Sequence, residues 1–308
     1  LSKILIFGGA GFIGRNIVEN FVSHQEDQLV LFLKEGKEYP VESIVEKNIF
    51  IERGKISDLS LIERIIDNYH IDTIVHLISS IIPSSNQDDF YHEMNEVVLP
   101  TMKLVDLSQK KKVKFIFFSS GGTVYGKNAE IYSENLKLEP INYYGLSKQI
   151  VENYISAKSR IDNLDFIILR PSNVYGKYQQ PQKAQGFIAK AFFSIENDLI
   201  LDIWGDGSTT RDYINVRDIA ILIKKIIDSG VSNCSINLST NEGVSLLELV
   251  SNIELLYEKK IQLKFEPKRK VDVDIAVLSN SVLLSTVEHK FIDIKAGLRM
   301  YFEYLKKA

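Results

Sequence analysis

Gly8-Gly9-Ala10-Gly11-Phe12-Ile13-Gly14 is the stretch that decides the fold. Its three glycines at positions 8, 11 and 14 follow a short apolar run, Lys3–Phe7. They open a segment whose apolar residues Phe12, Ile13, Ile17, Val18 and Phe21 recur with helical spacing. A strand that turns on glycine into a helix lets backbone approach a pyrophosphate, and the helix N-terminus faces the anion. Bare glycine spacing is often accidental, but a strand before it and an amphipathic helix after it supply the required context. The expected ligand is a dinucleotide, with Gly8, Gly11, Phe12, Ile13 and Gly14 at its diphosphate.

Beyond the turn, strand-like and helix-like runs alternate. Strands are expected at Gln28–Leu33, Asn48–Glu52, Thr73–Leu77, Lys114–Ser119 and Asp165–Leu169, with helices at Leu59–Tyr69, Phe90–Lys110 and Tyr144–Ser159. Apolar strands separated by helices imply an α/β fold built on a doubly wound parallel sheet, the Rossmann arrangement. After Arg170-Pro171 the rhythm gives way to longer loops, to helices at Ile188–Ile195 and Leu246–Tyr257, and to isolated short strands. The expected division is a dinucleotide domain over 1–170, to which 213–240 returns, and a smaller C-terminal α/β substrate domain made of 171–212 and 241–308.

Composition narrows the function classes. The chain has 308 residues, 45% hydrophobic and 25% charged, which suits a soluble globular protein with a large core. A net charge of −3 leaves no basic footprint for nucleic acid and no polybasic membrane anchor. The apolar runs Leu29–Leu33 and Ile74–Ile82 fall far short of the roughly 20 residues that span a bilayer. With one cysteine, Cys234, no internal disulfide forms, and there is no signal-peptide pattern, so the expected compartment is the cytoplasm. The five histidines show no metal-binding spacing, and no metal is expected.

Tyr144 and Lys148 stand four residues apart, on one face of an expected helix. An ammonium beside a phenol stabilises the phenolate and brings its proton exchange nearer to neutral pH. The second strand ends Phe32-Leu33-Lys34-Glu35, where NAD-binding folds place an acid on the ribose. Lys34 suits a 2′-phosphate, as on NADP, while Glu35 suits a ribose hydroxyl, so NAD and NADP both stand. Arg211 and Arg269 lie in loops of the second half, and their planar forks of donors suit phosphate oxygens. Asn173 can donate and accept beside a sugar.

With Gly8–Gly14 and the Tyr144/Lys148 pair together, the chain resembles an extended short-chain dehydrogenase/reductase over nearly its whole length. Ser119-Ser120-Gly121-Gly122-Thr123-Val124-Tyr125-Gly126 resembles the segment that gives a hydroxyl to the substrate. Arg170-Pro171-Ser172-Asn173-Val174-Tyr175-Gly176 resembles the entry to the sugar-nucleotide domain. Gly205–Tyr213 with Val216 and Asp218 is similar to the nucleoside-diphosphate-sugar 4-epimerases of the NAD-dependent epimerase/dehydratase family. The resemblance implies that Arg269-Lys270-Val271-Asp272 meets the nucleotide, through Arg269 and Asp272, and that Asn95 contacts cofactor or backbone. It also implies a homodimer paired through the helices Phe90–Lys110 and Tyr144–Ser159.

Two positions depart from the pattern. Gly121 stands where many epimerases carry the hydroxyl partner of the tyrosine, so Thr123, or else Ser120, has to supply it. Lys55 stands where relatives often have an aspartate near the adenine.

The implied activity is NAD(P)-dependent epimerisation of a nucleoside-diphosphate sugar at C4. Tyr144 takes and returns the 4-hydroxyl proton, Lys148 lowers its pKa and holds the nicotinamide ribose, and Thr123 orients the oxygen. The alternative is one-way NADPH-dependent reduction of a 4-keto-6-deoxy sugar nucleotide. A 4,6-dehydratase expects an acidic pair where Gly121-Gly122 stands, and a silent dinucleotide-binding protein expects loss of Tyr144 or Lys148.

Overall fold

The computed structural model describes residues 2–24, 27–39, 48–127, 131–180, 186–268 and 273–307. The first half runs β1 (Lys3–Phe7), α1 (Phe12–His24), β2 (Gln28–Leu33), β3 (Ile49–Arg53), α2 (Leu59–Tyr69), β4 (Thr73–His76), α3 (Gln87–Glu93), α4 (Leu99–Lys111) and β5 (Lys114–Phe118). A one-turn helix, α5 (Gly121–Val124), and the short β6 (Ile131–Tyr132) lead to α6 (Tyr143–Asp162) and β7 (Phe166–Pro171). The rest comprises β8 (Asn173–Tyr175), α7 (Phe187–Glu196), β9 (Leu201–Trp204), β10 (Thr210–Asn215), α8 (Val216–Asp228) and β11 (Cys234–Leu238). It ends with β12 (Gly243–Ser245), α9 (Leu246–Tyr257), β13 (Leu263–Glu266), β14 (Ile275–Leu278), α10 (Ser281–Thr286) and α11 (Ile294–Leu305).

Seven strands form one parallel sheet in the order β11-β7-β5-β4-β1-β2-β3. Strand residues alternate between its faces. Ile4 and Ile6 of β1 join Leu29, Leu31, Ile17 and Val18 under α1 and α8, whereas Leu5 and Phe7 join Val30, Phe32, Ile62 and Leu104 under α2 and α4. Because both faces are covered, the strands read as unbroken apolar runs, as parallel strands do. The chain leaves β1 toward β2 and β3, then crosses back to place β4 on β1's other side. The carboxyl ends of β1 and β4 therefore open a crevice, which is where doubly wound sheets bind ligands.

The expected helix Phe90–Lys110 is divided. Between α3 and α4, Met94–Val98 forms a π-helical turn, and Pro100 follows it in the first turn of α4. Proline has no N–H for the Glu96 carbonyl and its ring crowds that carbonyl, so the widened turn accommodates it. A second sheet, β12-β10-β14-β6 with β8 beside β10, and a β13-β9 pair carry the second half. A separate apolar cluster packs there around Ile188, Phe192, Leu249, Leu298 and Tyr301. Among the described residues no helix is long and apolar enough to cross a membrane.

Candidate active site

At the end of β1 the backbone turns at Gly8, whose φ of +87° suits glycine and few other residues. The Gly11 N–H donates to the Gly8 carbonyl at 3.0 Å and closes the turn. A Cβ on Gly14 would lie 2.3 Å from that same carbonyl oxygen and 2.7 Å from the Gly9 Cα, so α1 packs on the turn only because position 14 has no side chain. Gly11 is exposed, and α1 has no acid in its first turn to compete for an anion. Bare backbone at the mouth of a helix N-terminus fits a dinucleotide diphosphate. The far wall is Leu77–Ile78 after β4, since a Cβ on Gly8 would meet the Leu77 Cβ at 3.2 Å.

Tyr144 and Lys148 stand in the first two turns of α6. Asn142 caps that helix, accepting from the Gly145 N–H at 2.8 Å. Gly145 is required where the helix passes α5, because a Cβ there would lie 2.4 Å from the Thr123 carbonyl. Lys148 is 4% exposed and its Nζ donates to the Phe118 carbonyl at 3.1 Å and to the Ile78 carbonyl at 3.4 Å. Two of its three donors are thus committed to the ends of β5 and β4. Burial lowers its pKa to about 8, against the opposing charges of Glu93 and Glu152.

Tyr144 departs from the expectation of a lowered phenol pKa. Burial pushes it up to about 12, a hydrogen bond with Ser120 draws it down, and Glu93 raises it. Lys148 Nζ lies 5.7 Å from the tyrosine ring centroid with its donors turned to carbonyls, so in the chain by itself desolvation outweighs the ammonium. Ser120 is the hydroxyl that lowers the Tyr144 pKa, whereas Thr123 Oγ1 is buried without a hydrogen-bond partner.

Gly121 has a steric cause. A Cβ there would lie 2.1 Å from Leu278 Cδ2 and 2.9 Å from the Arg170 carbonyl oxygen.

Other expected residues are spread more widely. Asn173 donates to the Asp212 carbonyl at 2.8 Å and passes near Gly122, which keeps it beside the hydroxyl segment. Arg211 Nη1 donates to the Thr210 carbonyl at 2.8 Å, at the start of β10. Lys34 is exposed just beyond β2. Asn95 is exposed on the π-helical turn, while Glu93, Val97 and Val98 beside it are buried and line the cavity next to Lys148. Arg269 and Asp272 lie outside the described residues. Asp218, buried, receives the Ile292 N–H at 3.1 Å and contacts His289 at 2.9 Å, a structural use.

Three further features surround the pair. His76 is wholly buried under the pair, 3.0 Å from Thr101 Oγ1, and burial lowers its pKa to about 3. Arg170 and Glu152, both buried, form a forked ion pair with a shortest contact of 2.6 Å. Glu93 is buried beside Ser79 and Ser80. The only signal in the sequence was the spacing Glu93-Val97-Thr101, an acid in line with apolar residues on an inward face.

Residues 4–239 match the family model described as "NAD dependent epimerase/dehydratase family". The chain is 31% identical over 272 residues to the dTDP-4-dehydro-6-deoxyglucose reductase of Escherichia coli, covering 86% of this chain and 85% of that one. Its fold is similar to the crystal structure of the Thermotoga maritima UDP-glucose 4-epimerase with UDP-glucose, at TM-score 0.89, 26% identity and 99% coverage of both chains. It is also similar to the Thermus thermophilus UDP-glucose 4-epimerase in complex with NAD, at TM-score 0.87, 25% identity and 99% coverage of both chains.

Proposed function

Since the chain belongs to the NAD-dependent epimerase/dehydratase family, we propose that it is a sugar-nucleotide 4-epimerase with NAD as its cofactor. The observation that carries this is the joining of Tyr144, Lys148 and the Ser120 hydroxyl at the strand ends beside the glycine turn. Bound there, NAD would supply the hydride acceptor and donor for sugar C4.

The chain's own residues do the rest. The turn Gly8–Gly14 takes the diphosphate, and the remaining Lys148 donor takes the nicotinamide ribose. Tyr144 exchanges the proton of the 4-hydroxyl, with the Ser120 side chain holding the phenol in line. The buried ammonium of Lys148 favours the phenolate as proton transfer begins. Arg211 and Asn173, with Arg269 and Asp272 from outside the described residues, would hold the nucleotide while the 4-keto sugar turns its other face. The product is the C4 epimer with no net oxidation.

A second reading has its own support. The E. coli relative is a reductase of a 4-dehydro-6-deoxy sugar nucleotide, and exposed Lys34 at the end of β2 suits the extra phosphate of NADP. The same Tyr144 then only donates its proton. The helices α3, α4 and α6 leave Tyr91, Leu99 and Ile161 exposed, which supports their use as a homodimer face in a cytoplasmic enzyme.

One assay separates the two reactions. UDP- and dTDP-hexoses and their 4-keto-6-deoxy forms are offered in parallel with NAD and NADPH. Interconversion of C4 epimers without net redox is the expected result, and stoichiometric NADPH consumption identifies the reductase. Tyr144→Phe is expected to lower kcat by roughly 10²–10⁴-fold in either case. Unchanged turnover in that variant ends the proton-transfer role.

A further inference from the structure

We infer that Glu93 is a positioning residue for the Tyr144–Lys148 pair: it fastens the Ser79–Ser80 loop beside the lysine and presents a negative charge to the same small buried cavity. The inference rests on the proton-transfer reading of that pair.

Glu93 ends α3 and is 2% exposed. A carboxylate removed from water needs a cation or several donors. Among the described residues Glu93 has no salt bridge of its own. It accepts from Ser79 Oγ at 3.0 Å, from the Ser80 N–H at 2.9 Å and from the Ser80 hydroxyl. Neutral donors cover its oxygens, and the charge itself is left to act through space. Glu93 and Lys148 line one cavity together with His76, Val97, Thr101 and Ser147.

The hydrogen bonds have a mechanical consequence. Ser79 and Ser80 directly follow Ile78, whose carbonyl accepts from Lys148, and Leu77–Ile78 forms the wall against Gly8. One side chain on α3 thereby sets both the lysine's second acceptor and the side of the dinucleotide crevice.

The charge has a consequence too. The other ionisable groups around the pair are His76 from β4 and Glu152 on α6, the latter engaged by Arg170 from β7. His76 is neutral at working pH because burial holds its pKa near 3. Glu152 has its charge matched within its own ion pair. Glu93 raises the pKa of Lys148, as Glu152 also does, and it alone of the two raises that of Tyr144 as well. A negative charge beside the two groups moves both pKa values upward.

Glu93→Gln keeps the shape and removes the charge. Measured on the full chain with NAD and its sugar nucleotide, its entire pH–rate profile is expected to slide to lower pH by about 0.5–1 unit. Glu93→Asp keeps the charge, so its profile stays in place while turnover falls. A Glu93→Gln profile that keeps the wild-type position, whatever its height, overturns the inference and leaves the function standing. Unchanged turnover in Tyr144→Phe overturns both.

A second measurement needs neither cofactor nor activity. In Lys148→Met the buried Glu93 charge faces the cavity without the lysine ammonium, and Glu93→Gln removes that charge. Part of the melting temperature lost in Lys148→Met should therefore be recovered when Glu93→Gln is added, because the two side chains share one cavity. Strictly additive losses in the double variant also overturn the inference.

Discussion

Leu278 reaches across from β14 to the spot where a side chain at position 121 would begin, and the Arg170 carbonyl closes it from the sheet side. Position 121 has no room for a hydroxyl side chain, and Ser120 next to it is the residue that draws the Tyr144 pKa down. Gly121→Ser is expected to cost about 1–3 kcal/mol through overpacking, read from chemical denaturation. An unchanged midpoint would mean that Leu278 moves aside freely. Tyr144 and Lys148 were legible in sequence because an i, i+4 pair needs only the local helix to meet. Glu93 was not, since an acid on an amphipathic helix reads as surface until the loop that covers it is known. The same limit hid the choice between Ser120 and Thr123, which depends on how a one-turn helix rotates.

At the scale of elements, α6 is placed by its first turn. Asn142 holds the Gly145 N–H, and Gly145 in turn lies under the Thr123 carbonyl, so helix start, α5 and Tyr144 form one small assembly. Asn142→Ala should cost about 1 kcal/mol of stability, and Asn142→Asp much less. Thermal melts of the two variants check this; equal losses would show that the cap bond contributes nothing. Elements with a strong period were legible to within a few residues: α2 and α9 occupy Leu59–Tyr69 and Leu246–Tyr257 as their spacing predicted. The break at Met94–Val98 was not, because a π-helical turn inserts backbone without disturbing the apolar stripe that announces a helix. The small second sheet was hidden for another reason. Its strands are only two to six residues long, and their partners lie far away in sequence.

For the whole molecule, Asp212 on β10 joins the two sheets. It is fully buried and accepts from the Thr240 N–H and hydroxyl, both at 3.2 Å, and from the Asn241 N–H at 3.0 Å, just beyond β11. Burial nevertheless raises its pKa from 3.8 to about 6. With the folded value above the unfolded one, its contribution to stability is full below about pH 4 and is lost as pH rises through about 6. The loss is on the order of 3 kcal/mol at most. Melting temperatures of wild type and Asp212→Asn between pH 4 and 7 should therefore diverge, with the wild type alone showing this fall. Parallel slopes would show that the three donors outweigh burial. The parallel sheet was legible because its strands are apolar on both faces, but its seventh member was not among the expected strands. That member, β11, pairs with β7 although 63 positions separate Pro171 from Cys234. During synthesis at about 5–20 residues per second, the β7 edge emerges several seconds before the strand that covers it. Throughout that interval the nascent chain presents an apolar parallel edge, the surface on which neighbouring polypeptides aggregate. The wait ends only when the polymer has supplied a segment encoded far downstream, which makes translation speed between these two strands part of how this protein reaches its native state.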